Sequence, residues 1–76
     1  MPATLNELKP GDHCIVMKVT GAGAVRRRLF DLGITPGANI IHKKTAPFGD
    51  PIEISVRGYE LSLRKSEAEA VVVEIA

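Results

Sequence analysis

The sequence predicts a mainly β domain. Five strands form a small, partly closed antiparallel barrel, with one short α-helix over about residues 22–32 inserted after the first strand and a helical turn before the last. Three observations predict it. Much of the chain alternates with a period of two, and Ile52-Glu53-Ile54-Ser55-Val56 and Tyr59-Glu60-Leu61-Ser62-Leu63-Arg64 do so without fault. Only Ala22, Val25, Leu29 and Leu32 fall at helical spacing, and Gly33 follows where a left-handed helix end belongs. An open five-stranded sheet would leave long apolar edges in water, which favours closure.

Thr4-Leu5-Asn6-Glu7-Leu8 opens the chain with a capping residue and an acid three positions on, which predicts one helical or 3₁₀ turn. Lys9-Pro10-Gly11-Asp12 reads as a type II turn, with proline presetting φ and glycine accepting positive φ. The first strand, His13 to Val19, carries apolar side chains on both faces, so a bulge or strong bend is expected there. Thr20-Gly21-Ala22-Gly23-Ala24 breaks that strand and leads into the helix. Ile34 then stands where it would cover Leu29 in a Schellman ending.

Thr35-Pro36-Gly37-Ala38 repeats the earlier turn, and Asn39 to Thr45 repeats a strand. Ala46-Pro47-Phe48-Gly49-Asp50-Pro51 is a loop stiffened by prolines near both ends. Arg57-Gly58 is a tight hairpin between the next two strands, and Ser66-Glu67-Ala68-Glu69 fits a capping box for the helical turn. Val71 to Ile75 closes the chain as its fifth strand. Leu29 and Leu32 would plug one open end of the barrel.

The chain has 76 residues, 45% of them hydrophobic and 25% charged, which is too apolar for disorder and too short for a second domain. Phe30, Phe48 and Tyr59 are its only aromatics, so the core must be aliphatic. A net charge of +1 offers no general attraction to nucleic acid or anionic lipid. One cysteine, Cys14, rules out an internal disulfide and suits a reducing compartment. The N-terminal residues lack the blocks of a signal peptide, and no apolar run approaches the roughly 20 residues that span a bilayer. A cytoplasmic domain without direct membrane insertion is expected.

Several motifs together resemble the FeoA family of small cytoplasmic ferrous iron transport proteins. They are Arg28-Leu29-Phe30-Asp31-Leu32-Gly33-Ile34-Thr35-Pro36-Gly37, Ala46-Pro47-Phe48-Gly49-Asp50-Pro51-Ile52, the Val56-Arg57-Gly58-Tyr59 hairpin, and Leu63-Arg64-Lys65 through Ala68. The likeness runs from Leu5 to Ile75. It implies an SH3-like barrel that accompanies FeoB, a membrane permease with a cytoplasmic GTP-binding domain. It also implies recruitment to the inner face of the membrane. The same barrel ends some iron- and manganese-dependent repressors. A free-standing regulatory barrel that binds a transcription regulator or metal is therefore the alternative, and self-association by exchange of a strand or helix is a third reading.

No catalytic constellation is present. Gly21-Ala22-Gly23 lacks the Gly-Lys-Ser/Thr ending of a nucleotide loop, and Ser55, Ser62 and Ser66 read as surface or cap residues. An enzyme is not expected, nor a cofactor. His13 and Cys14 are neighbours on a strand and face opposite ways. His42 stands alone on its strand and is expected to be partly exposed. With no chelating spacing, no protein metal site is assigned.

Two surfaces are candidates for a protein partner. Arg26 and Arg27 lie on the outer side of the helical wheel with Phe30 beside Arg26, the usual composition of an interface hot spot. The alternative for them is a solvated charged face with Phe30 tucked against a loop. The second surface is the Pro47-Phe48-Gly49-Asp50 tip, with Pro47, Phe48 and Asp50 as contacts. It has a pre-stiffened apolar end, unless Phe48 folds back over a barrel mouth. Three basic residues are too narrow a field for nucleic acid.

Overall fold

In the computed structural model, which describes residues 2–76, the chain forms one six-stranded antiparallel sheet. The strands are β1 (Pro2–Thr4), β2 (His13–Val19), β3 (Asn39–Thr45), β4 (Ile52–Val56), β5 (Tyr59–Leu63) and β6 (Val71–Ile75). A 3₁₀ turn at Leu5–Glu7 follows β1, α1 (Gly23–Asp31) follows β2, and α2 (Lys65–Ala68) precedes β6. The strand order is β1-β6-β2-β3-β4-β5. One more strand is present than the sequence suggests. Pro2-Ala3-Thr4 has no periodicity to reveal it, but Ala3 lies opposite Val73, so β6 recruits it by pairing. Proline is tolerated there because β1 is an edge.

The core is aliphatic, as expected. Leu5, Leu29, Ile34, Ile40, Ile54, Leu63 and Val73 are all fully buried. β2 solves its two-faced pattern with the expected bulge: the register shifts between Val16 and Lys18, so Met17 and Lys18 both face out while Val19 returns to the core. A second bulge between His42 and Lys44 turns Lys43 and Lys44 both outward. Both Pro-Gly turns close as read, with Asp12 N–H donating to Lys9 C=O at 2.9 Å and Ala38 N–H to Thr35 C=O at 2.9 Å.

α1 ends in a complete Schellman motif. Ile34 N–H donates to Leu29 C=O at 3.0 Å, Gly33 N–H to Phe30 C=O at 3.0 Å, and Gly33 has φ +90°. Ile34 is thereby pulled under the helix onto Leu29. Leu29 is buried and Val25 and Leu32 are half-buried, but Ala22 is exposed because it precedes the first helical turn.

α2 starts two residues earlier than the Ser66–Glu69 capping box suggests. Arg64 is the N-cap, and Glu67 accepts its backbone N–H at 2.9 Å. Ala68 N–H to Arg64 C=O then closes the turn. Glu67 and Ala68 face inward in this arrangement.

Candidate functional site

The outer side of α1 presents Arg26, Arg27 and Phe30 together. Arg26 and Phe30 are one helical turn apart, and the Arg26 guanidinium carbon lies 5.4 Å from the Phe30 ring centroid. Phe30 remains 37% exposed. Arg28 points to the other flank, roughly 160° around the helix from Phe30. There Arg28 Nε donates to Glu67 Oε2, tying α1 to α2.

The β3–β4 loop is built to hold its tip out. Gly49 N–H donates to Ala46 C=O at 2.8 Å, and Ala46 N–H to Pro51 C=O at 3.1 Å. Asp50 Oδ1 accepts the Lys65 backbone N–H at 3.1 Å, and its other oxygen lies 4.0 Å from Arg64 Nη1. Asp50 therefore anchors the loop to the start of α2. Phe48 is 97% exposed and covers no part of the barrel. Pro47 beside it is exposed as well.

Arg28 of α1 and Pro51 of the loop line one shallow pocket with Leu63, Arg64 and Glu67. Phe30 and Arg26 lie on the far flank of α1 from that pocket. Sequence reasoning placed the outward residues but missed the connectors Arg28, Arg64, Lys65 and Glu67. The only sequence signal for them is the capping acid of α2.

Arg57 is a further positioning residue. It occupies the left-handed region at φ +51°, and with Gly58 at φ +83° it makes the hairpin turn. Its Nε donates to Gly33 C=O at 3.0 Å and its Nη2 to Thr35 Oγ1 at 2.8 Å. The β4–β5 hairpin is thus latched to the end of α1.

His42 is not partly exposed but buried, with 1% of its surface accessible. It shares the inner face of β3 with Ile40, as the period of two demands. Its Nε2 lies 2.8 Å from Thr45 Oγ1, and its Nδ1 is buried without a hydrogen-bond partner. Cys14 also faces the core. Burial, aided by the Asp12 carboxylate, pushes its thiol up to about 11, so it stays protonated at neutral pH. His13 lies on the opposite, exposed face. Among the described residues, no group of three His, Cys, Asp or Glu side chains is arranged to hold a metal ion. No helix there is long and apolar enough to cross a membrane.

Residues 3–75 match the family model of the FeoA domain. The chain belongs to the FeoA family. A curated relative, the Fe(2+) transport protein A/Fe(2+) transporter FeoB fusion protein of Porphyromonas gingivalis, is 34% identical over 71 residues. The match covers 93% of this chain but 8% of that relative's length. The FeoA-like protein of Clostridium acetobutylicum superposes with a TM-score of 0.91 at 42% identity, covering 97% of this chain and 86% of that one. FeoA of Stenotrophomonas maltophilia complexed with zinc, described as a prokaryotic SH3 domain protein, gives 0.84 at 34% identity, covering 95% and 89%. The FeoA barrel is accordingly SH3-like here. A manganese-dependent transcriptional repressor shares the fold at a TM-score of 0.90 and 18% identity, covering 99% of this chain and 41% of that one. That likeness is one of fold alone.

Proposed function

We propose that this FeoA chain is a non-enzymatic accessory protein of ferrous iron uptake that binds the cytoplasmic part of a FeoB-type permease. The observation that carries the reading is the fusion relative, in which a segment similar to nearly this whole chain is continuous with a FeoB transporter. Covalent joining keeps two partners at high effective concentration, which is useful where they otherwise associate. Separate chains must hold each other through a surface.

The surface best suited to that is the outer flank of α1. An aromatic ring stacked by an arginine and left 37% exposed is the composition that carries binding energy at interfaces. Arg27 adds a second cation at its rim. Docking there would tune the permease's assembly or GTP cycle. A nucleophilic role for Cys14 is unsupported, because its thiol is buried and held protonated.

The test is calorimetric binding to the soluble GTP-binding domain of the permease. Phe30→Ala and Arg26→Ala should each weaken binding about tenfold or more, the range of an interface anchor. Restoration of iron uptake in a strain lacking the chain should fail with Phe30→Ala. Unchanged affinity in both variants, or no binding by the unaltered protein, would refute the proposal.

A further inference from the structure

The Phe48 loop is too isolated to be the centre of a protein interface. Hot-spot aromatics sit within a packed apolar patch that excludes water around them. Phe48 instead projects alone, 97% exposed, from a loop whose other members are Pro47, Gly49 and Asp50. The tip cannot collapse onto the barrel. Three hydrogen bonds hold its base, and prolines stand on either side.

The two elements that flank the loop, β3 and the start of α2, both carry exposed cations. The β3 bulge turns Lys43 and Lys44 outward together, and Asp50 brings the exposed Arg64 and Lys65 to the same loop. These four cations face two carboxylates: Glu53 pairs with Lys44 at 3.4 Å and Asp50 with Arg64 at 4.0 Å. Lys43 and Lys65 have no carboxylate partner among the described residues. An apolar tip flanked on both sides by an unpaired lysine has the composition of a wedge for an anionic membrane surface. The ring enters the interface while the lysine stems reach the headgroups.

We infer that the Phe48 loop makes a direct contact with anionic phospholipid, with Phe48 entering the bilayer interface and Lys43 and Lys65 binding headgroups. One aromatic and a small charge excess give weak, reversible binding. The contact thus acts as a second attachment beside a protein tether. The geometry permits both at once, because Arg26 and Phe30 lie on the opposite flank of α1 from the loop side. The lipid contact goes beyond the permease reading, and it is measured without the permease.

The chain has no tryptophan, so Phe48→Trp installs a single reporter at a position that packs against nothing. Titration with phosphatidylcholine vesicles containing phosphatidylserine should shift its emission to the blue. Lipids brominated on the acyl chain should quench it. Phe30→Trp should not shift. Adding Lys43→Glu and Lys65→Glu to the Phe48→Trp protein should weaken binding by about tenfold or more. No shift with anionic vesicles overturns the inference, as does equal binding to pure phosphatidylcholine. A shift seen only with the permease's soluble domain would also overturn it, by making the loop a protein contact. Loss of vesicle binding in Phe48→Ala with unchanged affinity for that domain supports the lipid contact and separates it from the α1 reading.

Discussion

Gly33→Ala tests the join between α1 and the barrel. Gly33 sits at φ +90°, a region that costs an L-residue about 1–2 kcal/mol. A Cβ there would also meet Arg57 Cδ at 3.2 Å and Nε at 3.4 Å. Arg57 cannot simply swing away, because Nε donates to Gly33 C=O and Nη2 to Thr35 Oγ1. Losing those two exposed bonds adds about 1 kcal/mol, at the low end for such bonds because water replaces them. The expected total is about 2–3 kcal/mol. The whole domain is worth roughly 4–11 kcal/mol, so the fall in Tm should be about 10–20 °C. Urea unfolding followed by far-UV circular dichroism measures it. A double-mutant cycle with Arg57→Ala separates strain from contact, with an expected coupling of about 1 kcal/mol. A cost below about 0.5 kcal/mol refutes the Schellman argument. A cost identical with and without Arg57 refutes the latch.

Four further outcomes are expected. Cys14 has its thiol raised from 9.0 to about 11 by burial, so the unfolded chain releases this proton first as pH rises. Stability is therefore intact below about pH 9 and lost progressively toward pH 11, by about 2–3 kcal/mol, and the slope should vanish in Cys14→Ala. Glu67→Ala should cost about 1–2 kcal/mol in urea unfolding, because it uncaps α2 at Arg64 N–H. Arg28→Ala should cost less than about 1 kcal/mol, since that side chain is 58% exposed and Glu67 keeps its bond to the Arg64 backbone. His42→Leu should stabilise the fold by about 1 kcal/mol, because the buried Nδ1 without a partner is removed while Thr45 remains in water. Thermal melts of that variant at neutral pH check the sign.

Local signals carried most of the fold. Both Pro-Gly turns, the Schellman end at Gly33-Ile34, the bulge in β2 and the bounds of β2, β3, β4 and β6 follow from rules that act within a few residues. Backbone conformation and side-chain alternation are settled at that range. β1 was illegible because Pro2-Ala3-Thr4 becomes a strand only when β6 is there to pair with it. The start of α2 is hidden for a related reason: Ser66 is the better cap by residue type, and the half-buried contact of Glu67 with the Arg64 N–H sets the start two residues earlier. His42 is the instructive case. Its place on the inner face with Ile40 is readable from the period of two, and its polarity masked that.

For the site, the helical wheel by itself determined that Arg26, Arg27 and Phe30 face away from Leu29, because one period fixes both faces of a helix. Motif order by itself determined the family resemblance. Only the tertiary structure decided that Phe48 stands clear of the barrel and that Asp50 anchors its loop to Arg64 and Lys65 at the start of α2. Those residues lie far apart in the chain, and their juxtaposition depends on how β3, β4 and α2 pack. Spacing within one element carries no information about that packing.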